Sequence, residues 1–591
     1  MSENSLDFLR KSKAAKILEN FWLSKGASPI AVQLILLLQQ KLEQGEIGID
    51  LEKNISFLND REDLGFWVID DLRKKQISED PLVGKPRELK PIILTEENRL
   101  YFQRYWKYED ELLNEHIQKR LDNLSQSKKA FDLFVDDKIT NEQLLGIFSG
   151  LCSSVSLITG GPGTGKTSVV ARILISFLKD RENGRIALAA PTGKAAARMM
   201  ESLKSELSEL GKNPMISPIL SPIEKSIPDE SFTIHRLLGY HPLRQTYRYS
   251  KQKPLPYDLI VLDEATMIDL PLMVHFFRAL SSRSRVILLG DPDQLASVGI
   301  GSLFSDWVKK FSHGQYPDSI RKSFEEQTGR EFPQSNLGDG EEFLGKSIVT
   351  QLSHSFRFSS DSGIYQICKA IRTSDRSRIL SIFQERESFQ DVEWLPEARS
   401  AEKLGLIIDN LVDRYFKSLL NEVNPVKALE SLKSFCILSP TKKGFGGVDY
   451  LNKYVIDILR KETVDNLNQF YQSMTVFHGM PIMITVNDYS SELFNGDTGI
   501  ILRENDQLFA FFPKANGVRK ISLNTLPDYV PAYAMTVHKS QGSEYDHVLA
   551  MFSQNNSNLG RELIYTALSR GKKKVTLISS METILKSFEK E

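Results

Sequence analysis

The sequence predicts an α/β protein with two parallel-sheet domains, a mainly helical N-terminal domain and a small all-β insertion. Two series of short, continuously apolar strands carry the sheet prediction. The first comprises Val155-Ser156-Leu157-Ile158-Thr159, Arg185-Ile186-Ala187-Leu188-Ala189-Ala190, Leu259-Ile260-Val261-Leu262 and Arg285-Val286-Ile287-Leu288-Leu289, alternating with helical segments such as Ser168 to Leu178. The second begins at Phe435-Cys436-Ile437-Leu438 and continues at Val548-Leu549-Ala550-Met551 and Val575-Thr576-Leu577-Ile578. Strands that are apolar at every position belong to sheets covered on both faces, as parallel sheets are. A third observation is that residues 470 to 525 break into short strands with turns at Asn495-Gly496-Asp497 and Asn516-Gly517, as in a hairpin-rich insertion.

A chain of 591 residues exceeds what one core can organise. We place the helical domain at 1–125, the first sheet domain at 126–345, the second at 346–591 and the insertion at 470–525 within the second. In the N-terminal part, Ala31, Leu34, Ile35, Leu38 and Leu42 recur at helical spacing, with Gly45 near the stop. A second helical segment carries Leu100 to Glu109, whose aromatic density suits either a core or a docking surface. Residues 205 to 230 and 307 to 346, richer in polar residues, Gly and Pro, read as surface insertions.

Lys and Arg number 75 against 76 Asp and Glu, so a nucleic-acid partner would have to be held by local basic patches. A hydrophobic share of 41% excludes wholesale disorder. Cys152, Cys368 and Cys436 have neither metal-ligand spacing nor a disulfide pattern and read as thiols of a reducing compartment. The start, Met1-Ser2-Glu3-Asn4-Ser5, lacks the basic and apolar runs of a secretory leader. Apolar patches such as Ile30 to Leu38 fall short of the roughly 20 residues a bilayer crossing needs. A cytoplasmic protein with no membrane partner is expected.

The strongest chemical pattern is Gly160-Gly161-Pro162-Gly163-Thr164-Gly165-Lys166-Thr167, set between a strand and a helix. Its glycines let backbone N–H groups wrap phosphates while the helix N-terminus adds its positive end. Lys166 would reach the β- and γ-phosphates of ATP, and Thr167 would ligate Mg²⁺. At the end of the Leu259–Leu262 strand, Asp263 would hold Mg²⁺ and Glu264 would polarise the attacking water. Gln294, in Gly290-Asp291-Pro292-Asp293-Gln294, is placed to sense the γ-phosphate. Arg357 and Arg570 are candidates to neutralise charge on the transferring group, although on sequence alone each reads more readily as a surface salt-bridge arginine.

This ordered set resembles the superfamily 1 DNA helicases, and within them the RecD family, the alpha subunits of exodeoxyribonuclease V (RecBCD). Gly160 to Thr167 is similar to motif I, Ala189 to Met199 to motif Ia, and Thr233 to Gly239 to the DNA-side segment that follows. Asp263-Glu264-Ala265-Thr266-Met267 resembles motif II, with Thr266 where the family more often has Ser. Gly290 to Val298, the segment around Arg357, Thr536 to Glu544 and Leu563 to Arg570 resemble motifs III to VI. The resemblance implies two RecA-like P-loop NTPase domains, with an SH3-like module around Asn487-Asp488-Tyr489 and Phe494 to Gly499. It further implies that Gln143 recognises adenine, that Arg357 and Arg570 contact the γ-phosphate, and that Glu544 contacts ribose.

ATP bound between two such domains would open and close their cleft, moving alternate grips along one strand. Thr192, Lys194, Arg198, His235, Arg236, Thr536 and His538 are candidate contacts to single-stranded DNA, able to hold phosphate and sugar without selecting sequence. His235 and His538 suit a structural role equally well. The family implies 5′-to-3′ movement, action on double-strand DNA ends in recombinational repair, and assembly with a RecB-like beta and a RecC-like gamma subunit. No Asp/Glu/Lys set requires nuclease chemistry, which is expected in the beta partner. A stand-alone superfamily 1 helicase and a non-motor P-loop scaffold are the alternatives.

Overall fold

The computed structural model describes residues 13–588 except 44, 53–70, 123–138, 297–298, 302, 313–315, 317, 334–347, 385–388, 396–400, 463–468, 472–473, 489, 515–516 and 553–558. The boundaries drawn at 125/126 and 345/346, the Met1–Ser5 start, Val298, Tyr489 and Asn516 lie outside the described residues.

A six-stranded, all-parallel sheet runs in the order Val349–Leu352, Val155–Gly160, Arg285–Gly290, Leu259–Leu262, Ile186–Ala190, Phe232–Thr233. The strands Val155–Gly160 and Leu259–Leu262 are buried at every position. Successive side chains point to opposite faces. Accordingly, Ile158, Val261 and Ile287 join one core while Leu157, Ile260, Leu262 and Val286 join the other. Helices Asn141–Cys152 and Lys166–Asp180 supply the first core, through Leu144, Phe148, Ile173 and Phe177. Leu270–Arg278 supplies the second through Met273, Phe276 and Phe277.

A second parallel sheet has the order Val392–Leu395, Gly571–Ile578, Tyr545–Met551, Phe435–Ser439, Ala534–Thr536. Against one of its faces packs a five-stranded antiparallel sheet, ordered Gly517–Ser522, Gln507–Lys514, Thr498–Glu504, Met480–Ile484, Tyr529–Pro531. Ile482, Ile500 and Phe512 of that sheet share a core with Phe435, Ile437 and Leu549.

His547 is buried beside this core, its Nδ1 3.0 Å from the Tyr415 hydroxyl and its Nε2 2.9 Å from Thr576 Oγ1. Burial, reinforced by Lys574 and Arg414, pushes its pKa down from 6.5 to about 4. The unfolded chain therefore takes up a proton that the native chain refuses. The contribution of neutral His547 is complete above pH 6.5 and is lost as pH falls toward 4, by up to about 3 kcal/mol. Urea unfolding at neutral and acid pH should show a shallower acid loss in His547→Gln than in the wild type. Equal losses would contradict the assignment.

The N-terminal region is mainly helical, with Lys13–Ser24, Pro29–Glu43 and Asp71–Ser78, but it also holds a four-stranded sheet absent from the sequence reading. Leu100, Tyr101 and Phe102 belong to the strand Arg99–Phe102, which pairs with Gly48–Asp50 and Ile92–Leu94. The helix expected from Leu100 begins only at Gln103. Tyr101 is buried, and Tyr105, Trp106 and Tyr108 pack against the core of the first large sheet. Glu111, in the π-helical turn that follows, takes both Nε and Nη2 of Arg278 at 2.6 Å.

The segments 205–230 and 307–346 are not mere surface insertions where they are described. Helices Gly193–Gly211 and Ser217–Ile223 bury Leu210, Leu220 and Ile223 in the first core. Leu303–Ser312 and Asp318–Thr328 bury Trp307, Phe311 and Phe324. Their polar residues form the outer faces of amphipathic helices, which segment-averaged composition conceals. Among the described residues, no helix is long and apolar enough to cross a membrane.

Candidate functional site

The phosphate loop leaves the C-terminal end of the Val155–Gly160 strand, where parallel sheets present their ligand sites. Gly163 and Gly165 adopt φ of +75° and +84°, a conformation glycine reaches without strain, and Gly165 caps the helix that starts at Lys166. A side chain at Gly163 would collide with Arg357 Cβ, and one at Gly165 with the Gln143 amide. Lys166 Nζ donates to the carbonyls of Gly160 and Gly161. Thr164 Oγ1 donates to Gly161 O at 3.0 Å.

Gln143 is buried behind the loop. Its Oε1 accepts from Thr140 N and its Nε2 donates to Thr164 O, each at 3.2 Å, so both amide ends brace the helix start and the loop. Phe356 is 53% exposed and borders Gly165.

Asp263 and Glu264 stand at the end of the Leu259–Leu262 strand, and Asp263 Oδ1 accepts from Glu264 N at 2.8 Å. Burial, and then the neighbouring Glu264 charge, push the Asp263 carboxyl up, while Lys166 and Arg198 pull it down. Glu264 holds φ +50° and ψ +43°, a left-handed conformation that costs a non-glycine residue energy. The Asp263 carboxylate and the Thr167 hydroxyl are hard oxygen donors of the kind Mg²⁺ accepts together with phosphate oxygens, so the residues present fit that ion.

Gln294 Nε2 donates to Asp291 Oδ2 at 3.0 Å, and Tyr565 OH donates to the same oxygen at 2.9 Å. Leu295 N donates to Thr566 Oγ1 at 2.9 Å, and Gln541 Nε2 donates to Leu295 O at 2.8 Å. The loop carrying Gln294 is thereby tied to the helix Arg561–Leu568 and to the 536–544 segment of the second sheet domain. Asp291 and Tyr565 are the joints of this link, and the sequence reading gave neither a role. Arg570 follows the same helix and is 3% exposed. Arg357 packs on the loop, with Phe356 N donating to Gly163 O at 2.8 Å.

The structure therefore gathers Gly160 to Thr167, Asp263, Glu264, Gln294, Arg357 and Arg570 around one cleft, with Glu544 ion-paired to Arg357 at 2.7 Å. Arg198, grouped from sequence with the strand contacts, is ion-paired with Glu544. Thr192, His235, Arg236, Thr536 and His538 are each partly or fully exposed, on elements of both sheet domains. Thr192 caps its helix through Ala195 N, Thr536 caps through Lys539 N, and His538 is half-buried. The two segments meet where Gly542 packs on Ala195, and Phe494, between the strands Met480–Ile484 and Thr498–Glu504, covers Gly193. His235 packs edge-on to Tyr240, Arg236 lies over Phe232, and Arg236 is also within electrostatic reach of Glu492.

Lys194 departs from expectation: its Nζ is buried without a hydrogen-bond partner. Burial pushes its pKa down to about 8 against the pull of Cys436 and Asp497. Such a group lowers stability at neutral pH, so Lys194→Met should raise the unfolding free energy by about 1–3 kcal/mol. Thermal unfolding checks this, and an unstabilised variant would contradict the burial of Lys194 Nζ.

A P-loop and acidic strand end in one parallel-sheet domain, with Arg357 just beyond that sheet's edge strand Val349–Leu352 and Arg570 from the second sheet domain, define a superfamily 1 ATP-dependent helicase. The model of the AAA domain matches residues 143–300, and that of the UvrD-like helicase C-terminal domain matches 531–578. The RecBCD enzyme subunit RecD of Mycobacterium tuberculosis is 31% identical over 516 residues, covering 85% of this chain and 80% of its own. That of Mycolicibacterium smegmatis is 29% identical and covers 94% and 91%. A crystal structure of Bacteroides Pif1 bound to ssDNA aligns over 76% of this chain and 94% of its own, at 17% identity and a TM-score of 0.38. The chain belongs to the RecD family.

Proposed function

We propose that this chain is the 5′-to-3′ helicase subunit of a RecBCD-type helicase-nuclease, acting on double-strand DNA ends with RecB-like and RecC-like partners in the cytoplasm. The observation that carries a motor reading is the Gln294–Asp291–Tyr565 link. It connects the loop placed to sense phosphate in one sheet domain to the Arg570 helix of the other, so occupancy of one can bias the position of the other. Partner docking is supported by the helix Lys13–Ser24, which exposes Ile17, Phe21 and Leu23.

In the proposed cycle, Gly160 to Thr167 cradle the phosphates and Gln143, braced behind the loop, recognises adenine. Asp263 and Thr167 would hold Mg²⁺, which would screen the phosphate charge. Glu264 accepts a proton from water as the water oxygen bonds to the γ-phosphorus and the bond to the β–γ bridging oxygen breaks, giving ADP and phosphate. Arg357 and Arg570 neutralise charge on the transferring group. Thr192, His235, Arg236, Thr536 and His538 are proposed to hold the strand.

The test is ATPase activity of the purified chain with and without single-stranded DNA, beside Lys166→Ala, followed by unwinding of duplexes with 5′ or 3′ tails. DNA-stimulated hydrolysis lost in Lys166→Ala, and unwinding that requires a 5′ tail, are expected. A folded chain unstimulated by DNA both alone and in complex with its partners would overturn the motor reading.

A further inference from the structure

Glu544, for which the family resemblance implies a ribose contact, sits at the centre of an ion-pair cluster. Its side chain is only 10% exposed, and its Oε1 pairs with both Arg198 and Arg357, the latter through Nη2 at 2.7 Å. Oε2 lies 3.5 Å from Lys572 Nζ. Burial would push this carboxyl up, but Arg198, Arg357 and Arg570 outweigh it and hold it at about 2. The partners come from different parts of the chain. Arg198 sits on the helix Gly193–Gly211 of the first sheet domain, Arg357 follows the edge strand Val349–Leu352, and Glu544 leads into Tyr545–Met551 of the second sheet.

The guanidinium of Arg357 is divided between two tasks. Nη2 is taken by Glu544, while Nη1 is buried without a hydrogen-bond partner. A planar fork fixed by a carboxylate at one nitrogen can present the other in a set direction, which a freely rotating cation cannot do. Arg198 has no such spare role. It holds Glu544 from the opposite domain and so fixes the carboxylate that fixes Arg357.

We propose that Glu544 is a positioning residue, the shared counter-ion that locks Arg198 and Arg357 across the cleft so that Arg357 Nη1 is presented to the phosphoryl group in transfer. The proposal rests on the nucleotide site described above. It separates from a ribose role by what each predicts for ADP. A positioning pair acts when the γ-phosphoryl group is in flight and leaves ADP untouched, whereas a ribose contact weakens every nucleotide alike.

The experiment is calorimetric titration of the full chain with ADP alone and with ADP plus Mg²⁺ and aluminium fluoride, which mimics the phosphoryl group in transfer. Wild type, Glu544→Gln, Arg198→Ala, their double variant and Lys166→Ala are compared, each checked for a native unfolding transition. Glu544→Gln is expected to keep ADP affinity while losing roughly tenfold in affinity for the fluoride complex. Arg198→Ala should show the same split with single-stranded DNA affinity retained, and the double variant should be no worse than either. Arg198→Ala carries the test if Glu544→Gln does not fold. Equal weakening of ADP and the fluoride complex, or an intact fluoride gain in both single variants, would overturn the proposal. Failure of the nucleotide site itself is distinguishable, because wild type would then bind ADP no better than Lys166→Ala.

Discussion

Replacing Glu264 by Gln is expected to lower DNA-stimulated turnover by roughly 10²–10⁴-fold while ADP affinity is retained. Gln keeps the size and one acceptor oxygen of the side chain but cannot accept a proton from the attacking water. Glu264 is one of the few described non-glycine residues in the left-handed region, at φ +50°, immediately after a fully buried strand. Its amide is engaged by Asp263 Oδ1, which fixes where the side chain leaves the sheet. Such strain persists when a function selects it, at a cost of roughly 1–3 kcal/mol. Glu264→Gly should therefore raise unfolding stability while abolishing turnover. A Glu264→Gln protein with wild-type turnover, measured at saturating ATP and DNA, would place the base elsewhere.

Much of the architecture was legible because it depends on local pattern. An apolar residue at every strand position demands cover on both faces, and Leu157 and Ile158 do enter opposite cores. The phosphate loop was legible because glycine spacing and a following helix are contiguous in the chain. What escaped depends on contacts distant in sequence. Leu100 to Phe102 suit a helix by local pattern, but pairing on both sides, with Gly48–Asp50 and Ile92–Leu94, draws them into a strand. Lys194 and Arg198 stand four residues apart on one helix, so their spacing puts them on one face. Their long stems carry the charges to different destinations, Arg198 to Glu544 and Lys194 toward Cys436 and Asp497. Asp291 and Tyr565, separated by 274 residues, could be joined only by the fold.

Arg570→Lys is expected to reduce DNA-stimulated turnover by roughly 10³-fold or more, although the positive charge remains. Burial disfavours the charged form of Arg570, and Glu264, Glu544 and Asp291 are the anions that favour it. Its guanidinium is held at three points: Nε donates to Thr566 O at 3.2 Å, Nη1 to Ser543 O at 3.2 Å and Nη2 to Ser569 Oγ at 3.3 Å. An ammonium cannot reproduce that fork, and its smaller size leaves the Ser543 and Thr566 carbonyls short of donors. Thr566 also takes Leu295 N, and Tyr565 takes Asp291, so the arginine is seated by the same turn of helix that meets the Gln294 loop. Tyr565→Phe, which leaves Arg570 in place but cuts one joint, should instead lower the stimulation of ATPase by DNA more than the basal rate. Steady-state kinetics with and without single-stranded DNA separates the two effects. Near-normal turnover in Arg570→Lys would make Arg570 a structural residue and leave charge neutralisation to Arg357. Equal losses of basal and stimulated rate in Tyr565→Phe would mean that the Asp291 joint supports the site without carrying the signal between domains.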